Sequence, residues 1–267
     1  MKPLMAIVAL FGFLAGCLYW LPASLVLDTA MRMGLVSEKI TVGRVVGRVW
    51  EGQVMDIRVA GRTVEEAQWH WRPSGLGRAE LTWEVSGRAS GVQMDAEVRW
   101  RPNRIAVRDL VFMIPARRIA EEWVSWPLTM AGVIEGRIDS LDYQIESKQI
   151  DAQGTVRWEG AASGYPKPAY LGWVEANLAT VEGGEALAVG LVSDQRFLVL
   201  DGEVTVNLTG AYSMSLNATP GPKAEPQLIN ALRLLGLAKT DDRQIRLRSA
   251  GMLAPGGLQF PVIDSDE

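Results

Sequence analysis

The sequence predicts a mainly β protein: a single N-terminal transmembrane helix, then a curved, groove-like antiparallel β-sheet meander with one or two short helices, readable as two related lobes. Three observations carry this prediction. Pro3 to Leu27 is a run of 25 residues without a charge, preceded only by Met1-Lys2. Beyond it, apolar and polar residues alternate with a period of two, the pattern of half-buried strands. Gly, Pro, Asn and Asp clusters interrupt the alternation at short intervals, as turns require.

In chain order, residues 1–3 form a cytoplasmic stub and 4–27 the anchor. About 20 apolar residues cross a hydrocarbon core, Tyr19 and Trp20 stand near the far end where aromatic rings suit the interface, and Lys2 is retained on the cytoplasmic side. Two other readings compete. Leu14-Ala15-Gly16-Cys17 fits a lipobox, which would make Cys17 a lipidated first residue, and a cleaved signal peptide is the third option. The run stays apolar from Leu18 to Leu27, beyond the usual signal length, which favours the uncleaved span. Residues 28–34 form a juxtamembrane segment in which Asp28 to Met33 extend the membrane helix until Gly34. Residues 35–267 form an extracytoplasmic β domain.

Within that domain, Leu81, Trp83 and Val85 share one strand face, and Glu80, Thr82, Glu84 and Ser86 the other. Met94, Ala96, Val98 and Trp100 repeat this against Gln93, Asp95, Glu97 and Arg99. Leu141, Tyr143 and Ile145 oppose Asp142, Gln144 and Glu146; Leu200, Val204, Val206 and Leu208 oppose Asp201, Glu203, Thr205 and Asn207. One-faced alternation of this kind belongs to antiparallel sheets. Two segments have helical spacing instead: Pro115 to Trp126, with Ile119, Trp123 and Trp126 on one side, and Glu225 to Leu237, with Leu228, Ile229, Leu232 and Leu235. Each is expected to plug an end of the sheet. Gly47-Arg48-Val49-Trp50-Glu51-Gly52 and Thr155-Val156-Arg157-Trp158-Glu159-Gly160 echo one another, which suggests duplicated β units rather than a regular repeat.

Composition excludes much chemistry. Cys17 is the only cysteine, so the chain has neither an intrachain disulfide nor a cysteine zinc site. The net charge of −4 is uneven: residues 28–120 carry 15 Lys and Arg against 11 Asp and Glu, and residues 121–267 carry 11 against 20. The bases of the first part are nearly all Arg scattered between apolar positions, the pattern of solvated strand faces rather than of a nucleic-acid patch. His70, the only histidine, sits between Trp69 and Trp71 and projects to the opposite strand face. It has no nucleophile elbow to serve. His–carboxylate metal spacing and phosphate-binding glycine loops are missing, and the pairs Glu65-Glu66, Glu121-Glu122 and Asp241-Asp242 read as solvation. No catalytic, cofactor or metal residue is assigned, and no cofactor is expected.

The unusual resource is 10 tryptophans. Trp69, Trp71, Trp83, Trp100 and Trp158 fall on apolar strand faces, where rings of this size bury a large area. They form the candidate apolar face, either core or a groove for lipid or a partner segment. Trp50 is expected to be buried at a strand end, with Gly47 and Gly52 allowing close backbone approach.

With these residues in view, the chain resembles the type II secretion system protein N family. The likeness rests on the N-terminal span running into Leu21-Pro22-Ala23, on the Gly47–Gly52 motif with Val49 and Trp50, and on Leu232-Arg233-Leu234-Leu235-Gly236-Leu237 followed by Ile245-Arg246-Leu247-Arg248-Ser249-Ala250-Gly251-Met252-Leu253. The resemblance implies a non-enzymatic accessory component of the bacterial inner membrane, single-pass with its bulk in the periplasm. It also implies contacts to the inner-membrane platform of the secretion machine and to the outer-membrane secretin. A periplasmic lipid-handling β-groove protein is the alternative.

The topology is checkable directly. Reporter fusions after Val59 and after Leu208 are expected to be active only outside the cytoplasm, and activity of a cytoplasm-restricted reporter at either point would overturn the orientation.

Overall fold

The structure is a computed structural model that describes residues 16, 19–33, 40–59, 62–89, 91–123, 129–164, 167–181, 183–229, 245–254 and 257–258. Two compact units divide the chain, Met1–Arg99 and Trp100–Glu267. Cys17, Gly236 and most of the predicted span lie outside the described residues. Among the described residues no helix is long and apolar enough to cross a membrane.

The first unit holds α1 (Ala23–Arg32), β1 (Ile40–Thr41), β2 (Arg44–Gly47), β3 (Glu51–Val59), β4 (Arg62–Arg72), a 3-10 helix (Pro73–Arg78), β5 (Leu81–Ala89) and the bulk of β6 (Val92–Arg101). The strands lie in the order β1-β3-β4-β5-β6, with β2 also paired to β3. Asp56, at φ 58°, drops out of the β3–β4 ladder between the pairs Met55↔Glu66 and Ile57↔Val64. Asp tolerates this left-handed conformation better than most residues, so the kink falls where the sequence can accept it. The α1 helix begins at Ala23 because Pro22 at its N-cap is extended (φ −66°, ψ 136°). It ends on Arg32, a cation in the last turn where the helix dipole favours one. Asp28 to Met33 were expected to prolong the membrane helix. Asp28 to Arg32 lie in α1, with Met33 as its C-cap, and a non-helical Leu21-Pro22 separates α1 from what precedes it.

The second unit runs β7 (Arg104–Pro115), α2 (Ala116–Trp123), β8 (Thr129–Gln144), β9 (Gln149–Gly164), β10 (Ala169–Thr180), β11 (Ala186–Ser193), β12 (Leu198–Asn207), β13 (Ala211–Pro220), β14 (Ile245–Ala254) and β15 (Gly257–Leu258). Each strand pairs antiparallel with the next, the meander that the punctuated alternation predicts. β8 and β9 are 16 residues each, and their register shifts between Ala131 and Val133 around Gly132, which has φ +97°. A Cβ at Gly132 would stand 2.3 Å from the Glu159 carbonyl oxygen, so only glycine fits this bulge. The core cluster is Ala161, Ala169, Leu171, Leu198, Ala218 and Leu228, with Trp158, Val174 and Leu200 packed on it. Leu228 comes from residues 226–229, the described turn of the second predicted helix. It enters the core, as a plug should. The rest of that helix, through Leu237, is outside the described residues.

Several expectations are corrected. Glu80 and Thr82 are not on a wet face but are buried, because the 3-10 helix folds back over them: a Cβ at Gly75 would lie 2.5 Å from the Glu80 carbonyl oxygen and 3.0 Å from Thr82 Oγ1. Asp142 is likewise buried, 6% exposed, since Arg108 grips it with Nη2 at 2.9 Å and 2.7 Å from its two oxygens and Arg104 Nε donates at 2.8 Å. Met94, Trp100, Ile145 and Leu208 are exposed rather than inward; Ile145 and Leu208 fall in turns beyond their strands. Among the described side chains of α2, Ala116 and Ala120 are buried and Ile119 half-buried, so small residues set the approach to β8. The tryptophan echo does not mark equivalent places. Gly47–Gly52 is a hairpin corner between β2 and β3, whereas Thr155–Gly160 is the interior of β9.

Buried Asp194, between β11 and β12, accepts hydrogen bonds from Arg196 Nε at 3.0 Å, Arg196 Nη2 at 2.8 Å and the Arg196 backbone N–H at 3.1 Å. This guanidinium hydrogen bond holds the carboxyl below the usual carboxylate range. Gly172 (φ +88°) makes room for it, since a Cβ there would lie 2.6 Å from Asp194 Cβ. A carboxyl with a lowered folded-state pKa stabilises above its unfolded pKa, and the gain is lost as pH falls through the folded value. Asp194→Asn is therefore expected to lower the Tm at neutral pH, with the gap to wild type closing as thermal unfolding is followed into acid below about pH 4; a gap independent of pH would show that the charge is not what matters.

Candidate functional site

Of the sequence-predicted residues, Gly47, Val49, Trp50, Gly52, Trp69 and Trp71 come together at one corner of the first unit, where the chain leaves its N-terminal segment and enters the sheet. Gly47 (φ +102°) pairs with Gly52 across the β2–β3 hairpin. A Cβ at Gly47 would stand 2.5 Å from the Glu51 carbonyl oxygen, and one at Gly52 would stand 2.5 Å from the Trp69 ring. Both glycines thus allow the close approach expected of them. Arg48 N–H donates to the Glu51 carbonyl at 2.7 Å, and Glu51 N–H returns a bond to Arg48 at 3.2 Å, which closes the turn.

Trp69 clamps this turn from β4. Its indole Nε1–H is shared between the carbonyls of Val49 at 3.0 Å and Arg48 at 3.3 Å. The turn in turn holds the incoming chain: Val49 N–H donates to the Leu21 carbonyl at 3.2 Å, and Pro22 bridges Arg48. Arg48 then stacks on the aromatic pair ahead of α1, its guanidinium carbon 3.9 Å from the Trp20 ring centre and 5.2 Å from that of Tyr19. Cation–π contacts at exposed rings contribute about 0.5–1 kcal/mol. Trp50 is half-buried in the turn rather than buried at a strand end. Its ring lies 4.8 Å from that of Trp71, centre to centre, and Trp71 accordingly shares its contacts with Trp50 as well as with its cross-strand partner Trp83.

Beneath α1 the inner faces form a recess of about 240 Å³ lined by Ala23, Val26, Leu27, Val45, Val54 and Trp69 among others, with almost no polar surface. Of the five tryptophans proposed as one apolar face, Trp69, Trp71 and Trp83 are gathered on β4 and β5. Trp100 is 43% exposed on β6. Trp158 belongs to the second unit, where it packs on the core cluster and donates its Nε1–H to the Ala131 carbonyl at 2.9 Å. Gly251, on β14, faces Tyr212, whose ring a Cβ would approach to 3.0 Å.

His70 is exposed, with Nδ1 3.9 Å from Glu51 Oε2, itself exposed. Among the described residues no group of three His, Cys, Asp or Glu side chains is placed to hold a metal ion. Sequence reasoning missed Arg48, read as one of many solvated bases; the aromatic pair about 28 residues upstream was the only hint of its role.

The clamp makes a measurable claim. Trp69→Phe keeps most of the ring but removes the shared donor, and is expected to destabilise the folded chain by about 1–2 kcal/mol. Trp50→Ala is expected to cost about 3 kcal/mol, the low end for tryptophan truncation because its ring is half open. Chemical denaturation of both variants checks this, and unchanged stability of Trp69→Phe would remove the clamp.

Comparison with known proteins fits this order of parts. The model of the family described as type II secretion system (T2SS), protein N, matches residues 38–248, from just ahead of β1 into β14. A curated relative, type II secretion system protein N of Aeromonas hydrophila, is 25% identical over 242 residues, covering 88% of this chain and 92% of that protein. No solved structure matches. With the match running through the corner and the meander into the start of β14, the chain belongs to the type II secretion system protein N family.

Proposed function

We propose that the chain is an accessory inner-membrane component of the type II secretion machine, held by one N-terminal span with residues 35–267 in the periplasm, and that it acts by protein–protein contact rather than turnover. The observation that carries this is the family match over residues 38–248 laid on a sheet that ends, among the described residues, at β14 and β15. β14 pairs β13 along residues 245–252, and on its other side the described residues place only the two-residue β15, at Leu253 and Ala254. A strand margin is where another chain adds by backbone hydrogen bonds. The partners proposed are subunits of the inner-membrane platform and the outer-membrane secretin. A lipid-handling role is the second reading, and the apolar recess beneath α1 is what favours it.

Photo-crosslinkers at Arg248 and Ala250, both exposed on β14, are expected to trap secretion subunits in cells, and His70→Ala should leave secretion intact. Phospholipid bound to the purified full-length protein in native mass spectrometry, together with crosslinks that recover no secretion subunit, would replace this reading with the lipid-handling one.

A further inference from the structure

We infer that the chain's own residues Gln259 to Asp266 continue β15 along β14 as a self-pairing strand, so that a partner adding at that margin must displace them. The displacement step rests on the contact reading proposed above; the pairing itself does not. Register fixes where the pairing starts. β15 runs antiparallel to β14 with Leu258 opposite Leu253 and Gly257 opposite Ala254, the two strands joined through Pro255-Gly256. Beyond that point the margin of β14 runs from Met252 back to Ile245, and Gln259 to Asp266 follow Leu258 directly.

The margin has two different sides. Gly251, Leu247 and Ile245 pair with the buried Tyr212, Leu216 and Ala218 of β13. Ala250 and Arg248 pair with exposed Ser213 and Ser215, and Arg246 pairs with Asn217. An occupant that fits therefore brings apolar residues to the Tyr212 side and acids opposite the two arginines, since β13 places no acid beside either. Alternation puts Leu258 and Phe260 on the Tyr212 side. Phe260 falls opposite Gly251, where a Cβ would come within 3.0 Å of the Tyr212 ring; an aromatic at 260 meets that ring across a position that has no side chain.

Pro261 then selects the register. In a two-residue hairpin the flanking pair, here Ala254 and Gly257, exchanges backbone hydrogen bonds, and such pairs recur at every second position. Straight pairing would set Pro261 opposite Ala250 at one of them, where its missing N–H is needed. A bulge removes the conflict: Pro261 and Val262 together oppose Ala250, and the Val262 N–H serves the Ala250 carbonyl. With that one extra residue the pairing resumes as Ile263 with Ser249, Asp264 with Arg248, Ser265 with Leu247 and Asp266 with Arg246. Both carboxylates now stand directly opposite the arginines, an arrangement that stabilises a ladder, and Ile263 falls on the Tyr212 side. Without the bulge the same acids would face Leu247 and Ile245. The proline and the charge pattern thus agree on one alignment.

The test uses the full-length protein with Cys17→Ser in membranes from the cells that make it, so that only introduced thiols react. Ser249→Cys with Ile263→Cys sets two thiols at a non-hydrogen-bonded pair, the closer kind, within disulfide reach; Ser249→Cys with Val262→Cys represents the straight register. Under copper-phenanthroline oxidation, read by mass spectrometry and by gels that reveal covalent dimers, the 249–263 disulfide is expected to form within one chain several-fold faster than 249–262. Asp264→Arg with Asp266→Arg should slow it several-fold, and adding Arg246→Asp with Arg248→Asp should restore it. Faster 249–262 pairing, equally slow rates, or charge reversal without effect overturns the inference. Disulfides found only between two chains assign the margin to a second copy and overturn it too. Displacement is read in cells from the photo-crosslinker at Ala250, whose capture of secretion subunits is expected to fall several-fold once the 249–263 disulfide has formed and to return on reduction. Unchanged capture overturns the displacement step. No capture in either state, with the intrachain disulfide formed, overturns the contact reading and upholds the self-pairing strand.

Discussion

The constraint on which the rest depends is that antiparallel ladders have two faces and, in this chain, few elements to cover them. No disulfide can help, since the chain has one cysteine. Among the described residues no large side chain is fully buried, and the deepest positions are small ones such as Ala116, Ala161 and Ala169. Backbone hydrogen bonding between neighbouring strands therefore carries continuity, and packing is concentrated where something lies on a face. In the second unit that place is the cluster around Leu171, Leu198 and Leu228. In the first it is the α1 recess and the tryptophans of β4.

This sparse cover explains why polar residues are found inside. Asp142 is buried only because two arginines satisfy it, and Asp194 because Arg196 and the backbone N–H of the same residue do. A carboxylate with its lone pairs filled in this way tolerates burial that an unpaired one would not. Ser193 acts similarly, donating to the Leu198 carbonyl at 2.6 Å and accepting from Leu200 N–H at 2.7 Å. These contacts tie loops to strand ends, where the ladder itself gives no support.

The β2–β3 corner joins the fold to its proposed place in the cell. Trp69 holds the turn, the turn holds Leu21 and Pro22, and Arg48 holds Tyr19 and Trp20. The chain's entry into the sheet is therefore set by hydrogen bonds and ring contacts rather than left to a tether. For the contact role proposed above, a fixed entry into the sheet limits the orientations available. The apolar recess beside it keeps the lipid-handling reading physically reasonable.

The sequence by itself determined the β meander, because period-two alternation and turn residues are local signals, and it determined the glycine needs of the Gly47–Gly52 corner, because close approach demands a missing Cβ. It also exposed the uncharged run and, through motif order, the family. Tertiary structure alone decided which faces are wet. Alternation predicted Glu80, Thr82 and Asp142 outside, and a returning 3-10 helix and two arginines from β7 put them inside, partners that strand periodicity does not encode. The helix break at Pro22 and the docking of α1 likewise depend on apolar contacts with β2 and β3, residues remote enough in sequence that only folding brings them together.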